Sequence, residues 1–160
     1  MDITNKALIR HLNELIQVNN DRILGYDVAS RESSDFSLRN VFYEIASDSR
    51  RFKAELAKEV AMLGGVPRER TSSSGRMNIA WKNIRLALVG RQRKEIVIAC
   101  EQEEIAVVEA YNQVLKSDTF LPASIKEVIF EQRQKLQQDY ALIRALGHSV
   151  KNQELSFSVN

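Results

Sequence analysis

An all-α fold of four long helices is predicted by three features of this 160-residue sequence. Apolar residues recur at i, i+3 and i+4 spacing through four stretches, each longer than an average globular helix. Only six glycines and two prolines punctuate the chain, against roughly 12% in average usage, which leaves little material for strands and hairpins. The connections between stretches are unequal, two short and one, Gly64 to Gly90, long. A chain of this length makes one domain with a continuous core.

The first helix is expected from about Thr4, as N-cap, to about Ser30, with Leu8, Leu12, Leu15, Asn19, Ile23 and Tyr26 on one stripe. That face is apolar except at Asn19. After Arg31-Glu32-Ser33-Ser34, where the serines offer capping oxygens, the second stripe passes through Leu38, Val41, Phe42, Ile45, Ser49, Phe52, Leu56, Val60 and Leu63. Gly64-Gly65 and then Pro67 end it: glycine accepts the left-handed C-terminal conformation, and proline cannot continue the helix. The third helix starts after Gly90 and runs to about Lys116, with Val97, Cys100, Glu104, Val107, Val108, Tyr111 and Leu115 in line. An acid therefore interrupts its stripe. The fourth opens on Pro122 as a first-turn residue, carries Ile125, Val128, Ile129, Gln132, Leu136, Asp139, Tyr140, Ile143 and Leu146, and stops at Gly147.

Short first and third connections force antiparallel neighbours, whereas the long middle one predicts a crossover. Within it, Met77 to Val89 reads as a short helix anchored by Trp81. The expected topology is up, down, down, up over residues 1–147, followed by a loosely ordered tail at 148–160. The longest apolar run, Ile96 to Cys100, is far short of the roughly 20 residues a membrane span needs, and Met1 to Asn20 has no signal-peptide apolar stretch. A soluble, cytoplasmic protein is expected. One cysteine excludes an internal disulfide.

A set of local patterns now coincides. Leu12-Asn13-Glu14-Leu15, Asp21 and Gly25-Tyr26 fall in the first helix, and Arg51 to Leu56 in the second. Gly64-Gly65 and Trp81 lie in the crossover. Cys100-Glu101, Glu104 and Ala110-Tyr111 belong to the third helix, and Leu121-Pro122, Glu131-Gln132 and Ile143 to Leu146 to the fourth. Together they resemble a bacterial ferritin-like four-helix-bundle family of unknown function, over about residues 4 to 147. The resemblance implies a ferritin-like fold and a soluble bacterial protein, and carries no activity with it. The chain departs from that family at Ile23, where an acidic residue is expected, and at Tyr140, where a histidine is expected.

Di-iron bundles use one Glu from each of two helices and a Glu-x-x-His pair from each of the other two. The two histidines here, His11 and His148, have Leu8 and Ala145 three positions earlier, so the signature is absent. No metal site or catalytic residue is expected. The alternative is a carboxylate-only site for iron or manganese, its candidate ligands being Asp21, Asp48, Glu101, Glu104 and Asp139. The simpler expectation is a closed polar core network of Asn19, Tyr26, Glu104, Tyr111 and Gln132, or an arginine, because a buried carboxylate must find a partner. Glu103 and Glu109 read as a solvated face.

Charge is divided along the chain. Val66 to Lys94 holds eight basic residues (Arg68, Arg70, Arg76, Lys82, Arg85, Arg91, Arg93 and Lys94) against Glu69 alone, while Glu95 to Asp118 carries six acids and one lysine. Clustered arginines can mark anion or nucleic-acid binding. With no accompanying nucleic-acid motif, the simpler expectation is that they lie over acidic helices of the same chain or of a second copy. Cys100 reads as core packing, Trp81 as a core plug and His11 as a surface or capping residue. Neither a phosphate loop nor a hydrolase triad is present. The function expected is a non-enzymatic binding or structural module, related to stress or maintenance, that self-associates without a cofactor. The alternatives are an atypical metal-dependent oxidoreductase or metal store, and an anion or nucleic-acid binder.

Overall fold

The computed structural model describes residues 3–71, 84, 86 and 93–157, apart from the side chains of Thr4 and of everything beyond Gly147. Among the described residues there are four long helices and no strand: α1 (Ile3–Glu32), α2 (Phe36–Met62), α3 (Arg93–Lys116) and α4 (Ala123–Phe157). α1 packs along α2, and α3 along α4.

Local chemistry sets most of the boundaries. Asp35 caps α2, its Oδ1 accepting from the Leu38 N–H at 3.1 Å, and its second oxygen accepts from Arg93 at 3.0 Å. The serines expected to cap α2 sit one step removed: Ser33 Oγ accepts the backbone N–H of Asp35 itself. α2 ends as its glycines require. Gly64 adopts φ +82°, and the Gly65 N–H returns to the Val60 carbonyl at 2.9 Å, closing the last turn. A Cβ at Gly65 would stand 2.8 Å from Ile9 Cγ2, so α1 also needs the bare backbone there. α4 begins after Pro122, whose carbonyl accepts from the Lys126 N–H.

Two helix boundaries differ from the expectation. α1 already includes Ile3 and Thr4 and runs on to Glu32. α4 passes through Gly147 and continues to Phe157, so the residues read as a loose tail are helical for most of their length. The reason for this glycine is proximity: a Cβ there would lie 3.0 Å from Val97 Cγ1, and α4 comes close to α3 at that point.

The core divides into two apolar clusters. One gathers Leu8, Leu12, Leu15 and Ile16 of α1, Phe52, Leu56 and Val60 of α2, Val107, Tyr111 and Val114 of α3, and Ile125, Ile129 and Leu136 of α4. The other gathers Tyr26 and Ala29, then Leu38, Phe42, Ile45 and Ala46, then Ile96, Val97, Ala99 and Cys100, with Ile143 and the buried Ile84. On α1, between the residues that feed these clusters, lie Asn19, Asn20, Asp21 and Arg22, all buried.

The chain leaving α2 is tied back onto α1. Asn13 donates to the Val66 carbonyl and accepts the Arg68 N–H at 2.8 Å, while Asn20 donates to the carbonyls of Arg68 and Arg70. Two asparagines seven residues apart on one helical face thus pin residues 66–70. The short helix expected over Met77–Val89 and its anchor Trp81 lie outside the described residues, except that Ile84 and Leu86 are helical.

Candidate functional site

The largest fully buried side chain among the described residues is that of Arg22. Its position follows from helical spacing: Leu8, Leu12, Leu15, Asn19, Arg22 and Tyr26 advance in alternating steps of four and three, and all six are buried. Ile23, the expected stripe residue, is only half-buried.

Four helices supply the partners of its guanidinium. Nε donates to Glu104 Oε1 at 3.1 Å and Nη2 to Glu104 Oε2 at 2.5 Å, a two-pronged pair with α3. Nη2 also donates to Asp139 Oδ2 on α4 at 3.2 Å, and Nη1 to Ser49 Oγ on α2 at 2.9 Å. From α1 itself, the Tyr26 hydroxyl donates to Glu104 Oε1 at 2.7 Å, and the guanidinium carbon lies 5.7 Å from that ring's centre. The network reaches the surface through Lys135, which donates to Asp139 Oδ1 at 2.9 Å and pairs with Asp48 at 3.3 Å; Asp48 is half-buried and also meets Arg51.

Burial opposes the charge on Arg22, but the facing Glu104 and Glu103 more than offset it, so the guanidinium is held protonated more firmly than in water. Glu103, read from sequence as part of a solvated face, is fully buried. Position 103 shares a second inward row with Ile96, Cys100 and Val107, each buried. The Tyr26 hydroxyl and the Glu104 carboxyl lie beside its own carboxyl. Burial and the neighbouring Glu104 charge push its carboxyl well above the ordinary range, which favours its protonated form. The same burial, with Glu103 and Glu104 nearby, raises the Tyr26 hydroxyl and the Cys100 thiol, which leaves Cys100 as packing.

The expected five-residue polar network separates into two. Tyr26 and Glu104 belong to the charged centre, whereas Asn19, Tyr111 and Gln132 form a neutral chain. Asn19 donates to the Leu15 carbonyl and to the Tyr111 hydroxyl, each at 2.9 Å; that hydroxyl donates to Gln132 Oε1 at 2.7 Å; and the Gln132 amide donates to Glu55 at 2.8 Å and to the Phe52 carbonyl.

Of the candidate metal ligands, Glu104 and Asp139 meet on Arg22, and Asp48 joins them through Lys135. Asp21 is buried elsewhere on α1, and Glu101 is half-buried. Among the described residues no three His, Cys, Asp or Glu side chains converge in a geometry that could hold a metal. The donor set does not fit the metal pair of a di-iron bundle, because a guanidinium binds both Glu104 oxygens. His11 is half-buried, hydrogen-bonded to Glu14 and Thr119. Glu109 is half-buried. Of the basic stretch, Arg68 bonds Gln17, Arg93 pairs with Asp35 rather than with the acids of its own helix, and Arg70 and Lys94 are exposed; Arg76, Lys82, Arg85 and Arg91 lie outside the described residues.

Four helices around a buried arginine, each of whose three nitrogens is hydrogen-bonded, define an all-α bundle with a charged core. The chain belongs to the family described as Domain of unknown function (DUF2383), whose model matches residues 7–117. Arg22, Tyr26, Ser49, Glu103 and Glu104 fall inside the match; Gln132, Lys135 and Asp139, on α4, fall beyond it. No curated protein matches the chain. No helix among the described residues is long and apolar enough to cross a membrane.

Proposed function

We propose that this chain is a ferritin-like bundle of up, down, down, up topology that serves as a non-enzymatic binding or structural module, without a resident cofactor, in the bacterial cytoplasm. The composition of the two clusters supports the topology. The first half of α1 shares a cluster with the second halves of α2 and α3 and the first half of α4, and the remaining halves share the other. That partition supports α2 and α3 running opposite to α1 and α4, with the connection from α2 to α3 as the crossover.

The observation that carries the functional reading is the Arg22–Glu104 pair. In this fold inward carboxylates are the groups available for metal chemistry, and here the chain's own cation engages both oxygens of a fully buried one. The test is metal analysis of the purified chain after incubation with iron and with manganese. Substoichiometric metal is expected; one or two tightly held ions per chain would overturn the reading in favour of a carboxylate-only metal protein.

Self-association belongs to the same reading. On the outer face of α2, Phe36, Tyr43, Ser47, Ala54 and Ala61 are exposed in one row, interrupted by Arg50 and Lys58. Two aromatic rings among small side chains suit a second copy of the chain. A dimer or larger species is expected in sedimentation velocity at micromolar concentration, with Ser47→Glu shifting it toward monomer by at least tenfold in dissociation constant. A monomeric wild-type profile would overturn this part.

A further inference from the structure

We propose that residues 66–70, the segment that leaves α2 and is pinned along α1, form with Gln17 a binding site for a small phosphorylated molecule, its phosphate group held by Arg68 and Arg70. The inference goes beyond the reading of the charged centre. It is built on other residues, so metal analysis tests the one and phosphate binding the other.

Three observations carry it. The first is a cavity of about 730 Å³, lined among the described residues by Gln17, Val66, Pro67, Arg68, Glu69 and Arg70. Its size is that of small-molecule sites, and a bare phosphate would leave most of it empty. The second is that this wall is held in place before any ligand arrives. The buried Asn13 and Asn20 bond the carbonyls of Val66, Arg68 and Arg70 and the N–H of Arg68. Those bonds engage every second residue, the pattern of an extended chain, and an extended chain turns alternate side chains to the same side. Arg68 and Arg70 therefore project together, and Glu69 between them projects to the other side. Two guanidiniums so paired match the charge and the forked hydrogen bonding of a phosphate dianion. The third observation is that both keep donors to offer. Arg68 gives one N–H to Gln17 Oε1 at 3.0 Å, and Arg70 is exposed, with no ion pair among the described residues. The contact with Arg68 uses the oxygen of the Gln17 amide and leaves its nitrogen to donate to a ligand hydroxyl. No aromatic ring on which a base could stack belongs to the described lining, which favours a small phosphate ester over a nucleic-acid strand.

The experiment is titration of the full chain, followed through its amide NMR signals, with glucose 6-phosphate, glucose, inorganic phosphate and a short single-stranded oligonucleotide. Glucose 6-phosphate is expected to move the Val66, Arg68, Glu69 and Arg70 signals and the Gln17 side-chain amide, saturating with a dissociation constant of about 1 mM or below. Inorganic phosphate should bind the same residues more weakly, and glucose should move none of them. Arg68→Gln and Arg70→Gln should each weaken the binding at least tenfold, whereas Lys126→Gln, an exposed charge on α4, should leave it unchanged. Because α1 holds the segment by its backbone, these variants keep it in place; should Arg68→Gln melt lower than wild type, the exposed Arg70→Gln decides alone. No shift at residues 66–70, or a shift that Arg70→Gln leaves intact, overturns the proposal. So does inorganic phosphate binding as tightly as the ester, which would reduce the site to an anion contact, or an oligonucleotide binding more tightly than either, which would assign the segment to nucleic acid.

Discussion

The bundle contains two buried polar networks, one charged and one neutral, and they are built to different standards. The neutral chain from Asn19 through Tyr111 to Gln132 and Glu55 crosses all four helices with a coherent run of donors and acceptors. The charged centre gives Glu104 three donors, whereas the neutral chain leaves the buried Asn19 Oδ1 without a hydrogen-bond partner among the described residues. A neutral network tolerates such a gap because each missing bond costs only about 1–3 kcal/mol. A charged one must first match charge, and geometry is satisfied afterward; removing one member leaves another ion stranded. The functional reading turns on the charged centre because its inward carboxylates are bound by the chain's own cation.

The largest effect is expected where that matching is undone. Arg22→Met strips the cation from Glu104 and Asp139 and should cost about 3–5 kcal/mol in urea unfolding at pH 7, as breaking a buried pair does. A loss below about 1 kcal/mol would mean that the carboxylates reach solvent or other partners, and the contrast between the networks would dissolve. Tyr111→Phe removes the hydroxyl that relays Asn19 to Gln132 and should cost about 1–2 kcal/mol by the same measurement, since two neutral partners are left unpaired.

A pH series sharpens the comparison. Glu103 has a folded pKa raised above its ordinary value of 4.5, so the folded state holds a proton that the unfolded state releases. Its contribution is therefore intact below about pH 4.5 and is lost as pH rises toward the raised value, at up to about 1.4 kcal/mol per pH unit. Wild type should lose stability as pH rises above about 4.5, with a slope that Glu103→Gln flattens, whereas Tyr111→Phe should leave that slope unchanged. An identical slope in Glu103→Gln would show that Glu103 is ionised in the fold. The smallest effect belongs to Gly147→Ala, where about 1 kcal/mol of helix propensity opposes a contact 3.0 Å from Val97 Cγ1; a change within about 1 kcal/mol of zero is expected from thermal unfolding.

Much of this arrangement was written in the spacing of the chain. The apolar stripes marked all four helices, and Glu104, Asn19, Tyr111 and Gln132 stood out because each interrupts a stripe of otherwise apolar residues. The sequence favours Ile23 over Arg22 for the inward stripe because arginine is almost never buried without a partner, and the partner is 82 residues away. The regular step from Asn19 to Arg22 to Tyr26 was the signal that could have found it. Glu103 was assigned outward because its neighbour Glu104 already held the inward place; the close packing of this helix allows two adjacent positions to be buried. Gly147 was read as a stop because glycine favours helix ends, whereas its role is set by Val97 on another helix.

Local pattern alone thus determined the class of fold, the helix count among the described residues, the glycine close of α2 and the absence of a Glu-x-x-His pair, because periodicity and capping depend on residues within a turn or two. Which carboxylate receives a cation, which has its acidity weakened by burial and which glycine lets two helices touch were decided by tertiary structure. Those outcomes depend on charges and volumes brought together from distant points of the chain, and no local pattern encodes a distance between helices.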